Sequence, residues 1–196
     1  MKRLPLPDLL KGFAVFLIVP VHILETFIDY PGRETLFGKI LLFLGGPVAV
    51  PVFMMVMGYF MAKNRKGLHQ NLWRGIKVFG VGFLLNIGLN FHLLLKIRFA
   101  GWQINPLEYI WGVDILYLAG LSLIFLSFLK LIPKGKEWLA VVLILAILGS
   151  TSFMNNEMIS TERNYWMPFI AGTWSWSYFP LFPWLAYPLA GFAFFF

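Results

Sequence analysis

A series of apolar runs, each close to the length needed to cross a bilayer, constrains this chain more than any other feature. Hydrocarbon about 30 Å thick is spanned by about 20 helical residues rising 1.5 Å each. Six stretches meet or approach that length, at residues 9–28, 36–62, 72–95, 109–132, 138–153 and 179–196. The sequence therefore predicts an all-α integral membrane protein, a bundle of about six transmembrane helices forming a single domain over 1–196. Composition agrees, with 59% hydrophobic and 13% charged residues among 196. Soluble domains carry about 25% charged residues, so this chain could not cover its apolar surface in water, and the lipid bilayer is its first partner. Lys2 and Arg3 precede the first run as they would in a signal peptide. Lys11 interrupts that run, however, His22 and Glu25 sit inside it, and no small-residue cleavage site follows, which predicts a retained first helix. Pro20, Pro47 and Pro51 fall within spans and predict kinks.

Basic residues set the orientation. Lys2, Arg3 and Lys11, then Lys63, Arg65, Lys66, Arg74 and Lys77, then Lys130, Lys134 and Lys136 mark the N-terminus and the even-numbered loops. The alternate loops hold only Arg33, Lys39, Lys96, Arg98 and Arg163. The first set is expected in the cytoplasm, with the N-terminus, in a multi-pass protein of the cell (inner) membrane. The net charge of +7 thus belongs to topology and implies no nucleic acid partner. The connection 154–178 is expected outside, and Trp166, Trp174, Trp176 and Trp184 are expected to form an aromatic belt. With no cysteine, disulfides, thiolate metal sites and a cysteine nucleophile are excluded, and no His, Asp and Glu spacing makes a metal site. The final residues YPLAGFAFFF end inside an apolar run, as expected for the N-terminal part of a longer protein.

Ionisable groups inside spans are costly unless they face the bundle interior, so each is a candidate for function. At about 100° per residue, with Lys11 at zero, His22 falls at about +20°, Glu25 at −40°, Asp29 at 0° and Asp8 at +60°, a single stripe. Lys11 and His22 are three turns and about 16 Å apart on it. A second stripe on the third span carries Gly75, Gly82, Asn86, Asn90 and His92, and Asp114 is expected one turn into the fourth. In the predicted orientation Lys11, Arg74 and Lys77 lie at the inner end. His22, Asn86, Asn90 and Asp114 lie in the outer half. Polar groups at two depths suggest a passage with a basic mouth and a polar chamber.

At these residues the chain resembles the transmembrane acyltransferases. The stretch PDLLKGFAVFLIVPVHI is similar to the D-x-x-R-G helix that ends in histidine, shared by heparan-α-glucosaminide N-acetyltransferase-like proteins and type 3 acyltransferases; Lys11 stands where Arg is usual. PVFMMVMGYFMA resembles the F-F-x-x-S-G-F second helix, with Met57 for Ser, and LWRGIKVFGVGFLLN the basic R-x-x-R opening of the third, carried by Arg74 and Lys77. YFPLFPWLAYPLAGF is the strongest match and points to the bacterial heparan-α-glucosaminide N-acetyltransferase-like branch. The fold of that family has about ten helices, of which this chain would supply the N-terminal ones.

The resemblance implies transfer of an acyl group, acetyl above all, from acetyl-CoA or another acyl-CoA to a hydroxyl or amine of a sugar-like acceptor outside the cytoplasm. Lys11, Arg74 and Lys77 would bind the donor phosphates. His22 would be the general base, oriented by Glu25 or Asp29, or would carry the acyl group itself. Asn86, Asn90 or Asp114 would hold the acceptor or polarise the thioester carbonyl. Two other classes fit the same residues: a small-solute or proton-coupled transporter, and an inactive bundle whose polar stripes only pack helices. A homo-oligomer is compatible with either.

Overall fold

The structure is a computed structural model describing residues 5–132, 138–157, 165–172, 174 and 176–194. Helix α1 (Pro5–Phe27) opens with Pro5 and Pro7 in its first turn, where a missing N–H costs nothing, and Asp8 beside the positive end of the helix dipole. Arg33 closes its far end, donating from Nε to the Ile28 carbonyl and from Nη2 to the Glu25 carbonyl, both at 2.8 Å. Asp29 lies beyond α1. It N-caps the turn Tyr30–Arg33 by accepting from the Gly32 amide at 3.2 Å.

Helix α2 (Leu36–Lys63) is capped by Thr35 and passes through a π-helical stretch, Leu44–Val48, that contains Pro47. The kink expected at Pro47 takes this form because proline has no N–H to donate, and the wider turn absorbs the mismatch. Gly45 sits there against α1. A Cβ at Gly45 would run into the Val21 side chain and lie 2.8 Å from the Leu17 carbonyl.

Helix α3 (Leu68–Leu89) stops at Asn90, where α4 (Phe91–Phe99) sets off, so the continuous span expected over 72–95 is two helices. Asn86 and Asn90 are the reason. Their side-chain amides donate to the carbonyls of Tyr109, Ile110 and Gly112, at the end of the helical turn Pro106–Ile110 and just beyond it, tying the end of α3 to that stretch. Helix α5 (Ile115–Leu129) is shorter than the expected 109–132, because Asp114 is its N-cap and stands before the helix, not one turn into it. The Asp114 carboxylate accepts from the amides of Leu116 (2.9 Å) and Tyr117 (3.2 Å). Helix α6 (Trp138–Glu157) runs past the expected residue 153, and α7 (Ala186–Ala193) follows the turn Leu181–Trp184.

By length and composition α1, α2 and α3 can cross a membrane, and Ile115–Leu129, Trp138–Ser150 and Leu181–Ala193 are shorter apolar helices. Among the described residues no strand forms, only the isolated bridges of Val113 and Trp174 to Ser177. The protein is an all-α membrane bundle.

Two close seams hold it together. Along α3 and α5, Gly75 and Gly120 meet so tightly that a Cβ on either would lie 2.9 or 3.0 Å from the other's carbonyl oxygen. Between α2 and α7, a Cβ on Gly58 would run into the Pro188 carbonyl, and one on Gly191 into that of Met55. Helices in lipid associate through such contacts, since hydrocarbon outside is as apolar as leucine inside. Met61, Leu126, Leu185 and Leu189 fill the core beside the second seam. The segment 178–192, the strongest sequence match, is therefore largely a packing element. At the other end Val113, Tyr117 and Phe169 are buried with Phe79 and Trp111 packed around them.

Candidate functional site

At the end of the bundle formed by the start of α1, the end of α2 and the start of α3, the Lys11 ammonium lies 3.8 Å above the centre of the Phe60 ring. Lys11, Phe60, Met61 and Arg74 line a cavity of about 170 Å³ together with Phe53, Met57 and Leu123. The buried face of α1 explains how a flanking lysine reaches it. Ala14, Val21 and Leu24 are buried and fall at about −60°, −80° and −140° from Lys11 at 100° per residue. Lys11 thus stands at the edge of the packed face, and its long stem folds across to α2. Two of the three expected donor cations, Lys11 and Arg74, come together. Lys77, one turn farther along α3, is exposed and outside the cavity lining.

Toward the other end, His22 and Glu25 pair on one face of α1, Nδ1 to Oε2 at 3.6 Å, with 72% and 49% of their side-chain surfaces exposed. Asp29, expected to share in orienting His22, is occupied by its capping bond to Gly32. The cavity at Lys11 is not lined by His22, so the described residues place the imidazole on an open flank of α1 and do not enclose it in the expected passage. A larger cavity, about 540 Å³, lies among α1, α2 and α7, lined by apolar residues such as Leu10, Met55 and Phe194 with Tyr59. Among the described residues its lining holds no cation for a phosphate.

Asn86, 7% exposed, donates to the Gly112 carbonyl at 2.7 Å, and Asn90 to the Asn86 and Tyr109 carbonyls at 2.9 and 3.3 Å. Gly82 brings α3 alongside Asp114, whose Oδ1 a Cβ at Gly82 would approach to 3.7 Å. The three expected acceptor residues therefore gather at the α3–α5 seam, and their side chains secure backbone there. Trp176 and Tyr178 are pinned over the same end by Val113 N to Trp176 O (2.9 Å) and Tyr178 N to Val113 O (3.0 Å), and Ser177 Oγ donates to Pro168 O (2.7 Å). Sequence reasoning missed Phe60, the seat of Lys11, because an aromatic residue in an apolar run carries no polar signal. It also read Lys130 as an orientation signal alone. Among the described residues no group of His, Asp and Glu could hold a metal ion.

Fold and site together define a helical membrane protein with a cationic cavity at one end of its first helix and a histidine–carboxylate pair toward the other. Over residues 3–195 the sequence matches the family described as heparan-alpha-glucosaminide N-acetyltransferase, catalytic, and the chain belongs to that family. Its class is accordingly that of a membrane acetyltransferase. No curated protein and no solved structure matches it.

Proposed function

We propose that this protein transfers an acetyl group from acetyl-CoA, taken up at the cytoplasmic face of the cell membrane, to a hydroxyl or amine of a sugar-like acceptor on the opposite side. One observation supports this reading above the others: Lys11 of α1 and Arg74 of α3 converge on one cavity at the same end of the bundle. Two cations at a membrane boundary suit the phosphates of coenzyme A, to which charged donors bond more strongly than neutral ones do. Lys77, exposed nearby, adds to the positive field that draws the donor in. The pantetheine arm then carries the thioester along α1 toward His22, about 16 Å away at 1.5 Å per residue.

His22 is the general base, and Glu25, 3.6 Å from Nδ1, stabilises the imidazolium that forms. The acceptor oxygen or nitrogen attacks the thioester carbonyl as Nε2 removes its proton. The new C–O or C–N bond forms, the C–S bond breaks, and the coenzyme A thiolate leaves, taking the proton from the imidazolium. Asn86 and Asn90 shape the acceptor side by fixing the stretch 109–112, and Asp114 does so by capping α5. A histidine–glutamate pair left in hydrocarbon would cost several kcal/mol, which favours polar surroundings for this flank of α1.

The test is turnover of radiolabelled acetyl-CoA by the protein in liposomes. His22→Gln should lower kcat by about 10²- to 10⁴-fold, the usual contribution of a general base, while leaving binding of coenzyme A unchanged. Full turnover by His22→Gln removes His22 from the chemistry. Solute flux that is independent of acetyl-CoA would favour a transporter.

A further inference from the structure

Next to the cationic cavity the ends of three helices are knotted together by one asparagine. Lys130, which caps the C-terminus of α5, donates from Nζ to both the backbone carbonyl of Asn64 and its Oδ1, the latter at 2.9 Å. Asn64 caps the C-terminus of α2 and gives its own amide to the Met61 carbonyl at 3.0 Å. The same Oδ1 accepts from the Lys66 amide at 2.9 Å and from Asn71 Nδ2 at 3.4 Å. Asn71, on α3 and 1% exposed, also donates to the Lys66 carbonyl at 3.0 Å. Asn64 Oδ1 thus serves three donors drawn from the α2–α3 turn, from α3 and from α5.

This knot adjoins the cavity through two residues. Met61, bonded to Asn64 through both its carbonyl and its sulfur, is a wall of the cavity and 1% exposed. Arg74 stands three residues beyond Asn71 on α3, nearly one turn on; burial first, and then the charge of Arg74, lower the pKa of the Lys130 ammonium. Lys130 itself is not among the lining residues. An ammonium directed at a helix-terminal carbonyl is also favourably placed against the negative end of that helix's dipole.

We infer that Lys130 and Asn64 form a clamp that sets the spacing of Arg74 and Lys11 across the donor cavity, making Lys130 a positioning residue for a phosphate-bearing donor. The inference rests on the donor reading proposed above. Lys130 acts through the α2–α3 turn: it fixes where α2 ends, hence the height of Phe60 with the Lys11 ammonium on its ring, and where α3 begins, hence the distance of Arg74 from it. Without the clamp both cations remain, but their separation is no longer fixed for a bridging ligand.

The experiment measures binding of coenzyme A, and of phosphate-free pantetheine, by calorimetry on the whole chain in zwitterionic nanodiscs. Wild type is compared with Lys130→Met, Lys130→Gln, Lys130→Arg and Arg74→Met. Lys130→Met should weaken coenzyme A by about tenfold, the scale of one lost charge-assisted bond, and leave pantetheine unchanged. Lys130→Gln keeps a donor for Asn64 without a charge and should return coenzyme A binding to within about threefold of wild type. In turnover, Lys130→Met should raise KM for the donor with kcat held. Equal binding by Lys130→Met and wild type, with Arg74→Met weakened, overturns the clamp and leaves the donor site standing. Rescue by Lys130→Arg but not by Lys130→Gln overturns the positioning role in favour of direct charge contact. Parallel weakening of pantetheine overturns it in favour of general loss of packing. If Arg74→Met and wild type bind coenzyme A alike, the donor cavity is misassigned and the parent reading falls with the clamp.

Discussion

Lys11 owes its place to side-chain length. Its Cβ lies at the margin of the packed face of α1, so only a long stem can carry a charge onto the Phe60 ring of α2. Lys11→Met should keep the stem and its packing while losing the cation; we expect donor KM to rise by about tenfold, as for one charge-assisted contact, with thermal stability held. Asp114 works differently. Its carboxylate holds two amides at the start of α5, so Asp114→Ala should cost about 1 kcal/mol, and Asp114→Asn much less, in denaturation of the solubilised protein. The sequence made Lys11, Arg74 and Asp114 visible as candidates because charge is conspicuous in an apolar run. It could not show that Asp114 and Asp29 are caps. That depends on whether the backbone at each residue is helical or extended, and apolar periodicity is blind to a one-residue difference there.

At the scale of elements, the seams depend on the absence of side chains. Gly58 and Gly191 let α2 and α7 approach until each would thrust a Cβ into the other helix's carbonyl. Gly58→Val should cost at least about 1–3 kcal/mol, as overpacking of a filled core does. Gly46→Ala, next to the α1 contact at Gly45, meets nothing within 4 Å and should be close to neutral. Comparing the two melting temperatures checks both expectations. The six apolar runs mapped onto helices, because length and hydropathy alone fix where a chain can sit in lipid. Their ends shifted wherever a polar side chain took over a backbone partner, as Asn86 and Asn90 do at the end of α3. Which helix lies against which was not legible at all, since contacts such as Gly75 with Gly120 are chosen in three dimensions and leave only scattered glycines in the sequence.

For the whole molecule, the arrangement of basic residues predicts that the start of α1, the α2–α3 turn and the end of α5 share one membrane face. The chain contains no cysteine, so single cysteines report cleanly. In right-side-out vesicles an impermeant maleimide should label Gln103→Cys and not Arg65→Cys; inverted vesicles should reverse the pattern. The opposite result would move the donor to the other compartment. The π-helical stretch at Leu44–Val48 bears on the same architecture. It puts the two halves of the second helix out of phase with an unbroken α-spiral, so that the first half packs on α1 while the second packs on α1, α5 and α7 together. Removing one residue there, Gly46 for instance, would turn everything upstream by about 100° and draw it in by about 1.5 Å. The first helix, packed on both halves, could then keep its fit with only one of them, either at Gly45 or at the Phe60 ring that seats the lysine. A deletion beside Val21 would thus be felt at the cation site about 15 Å away along α1.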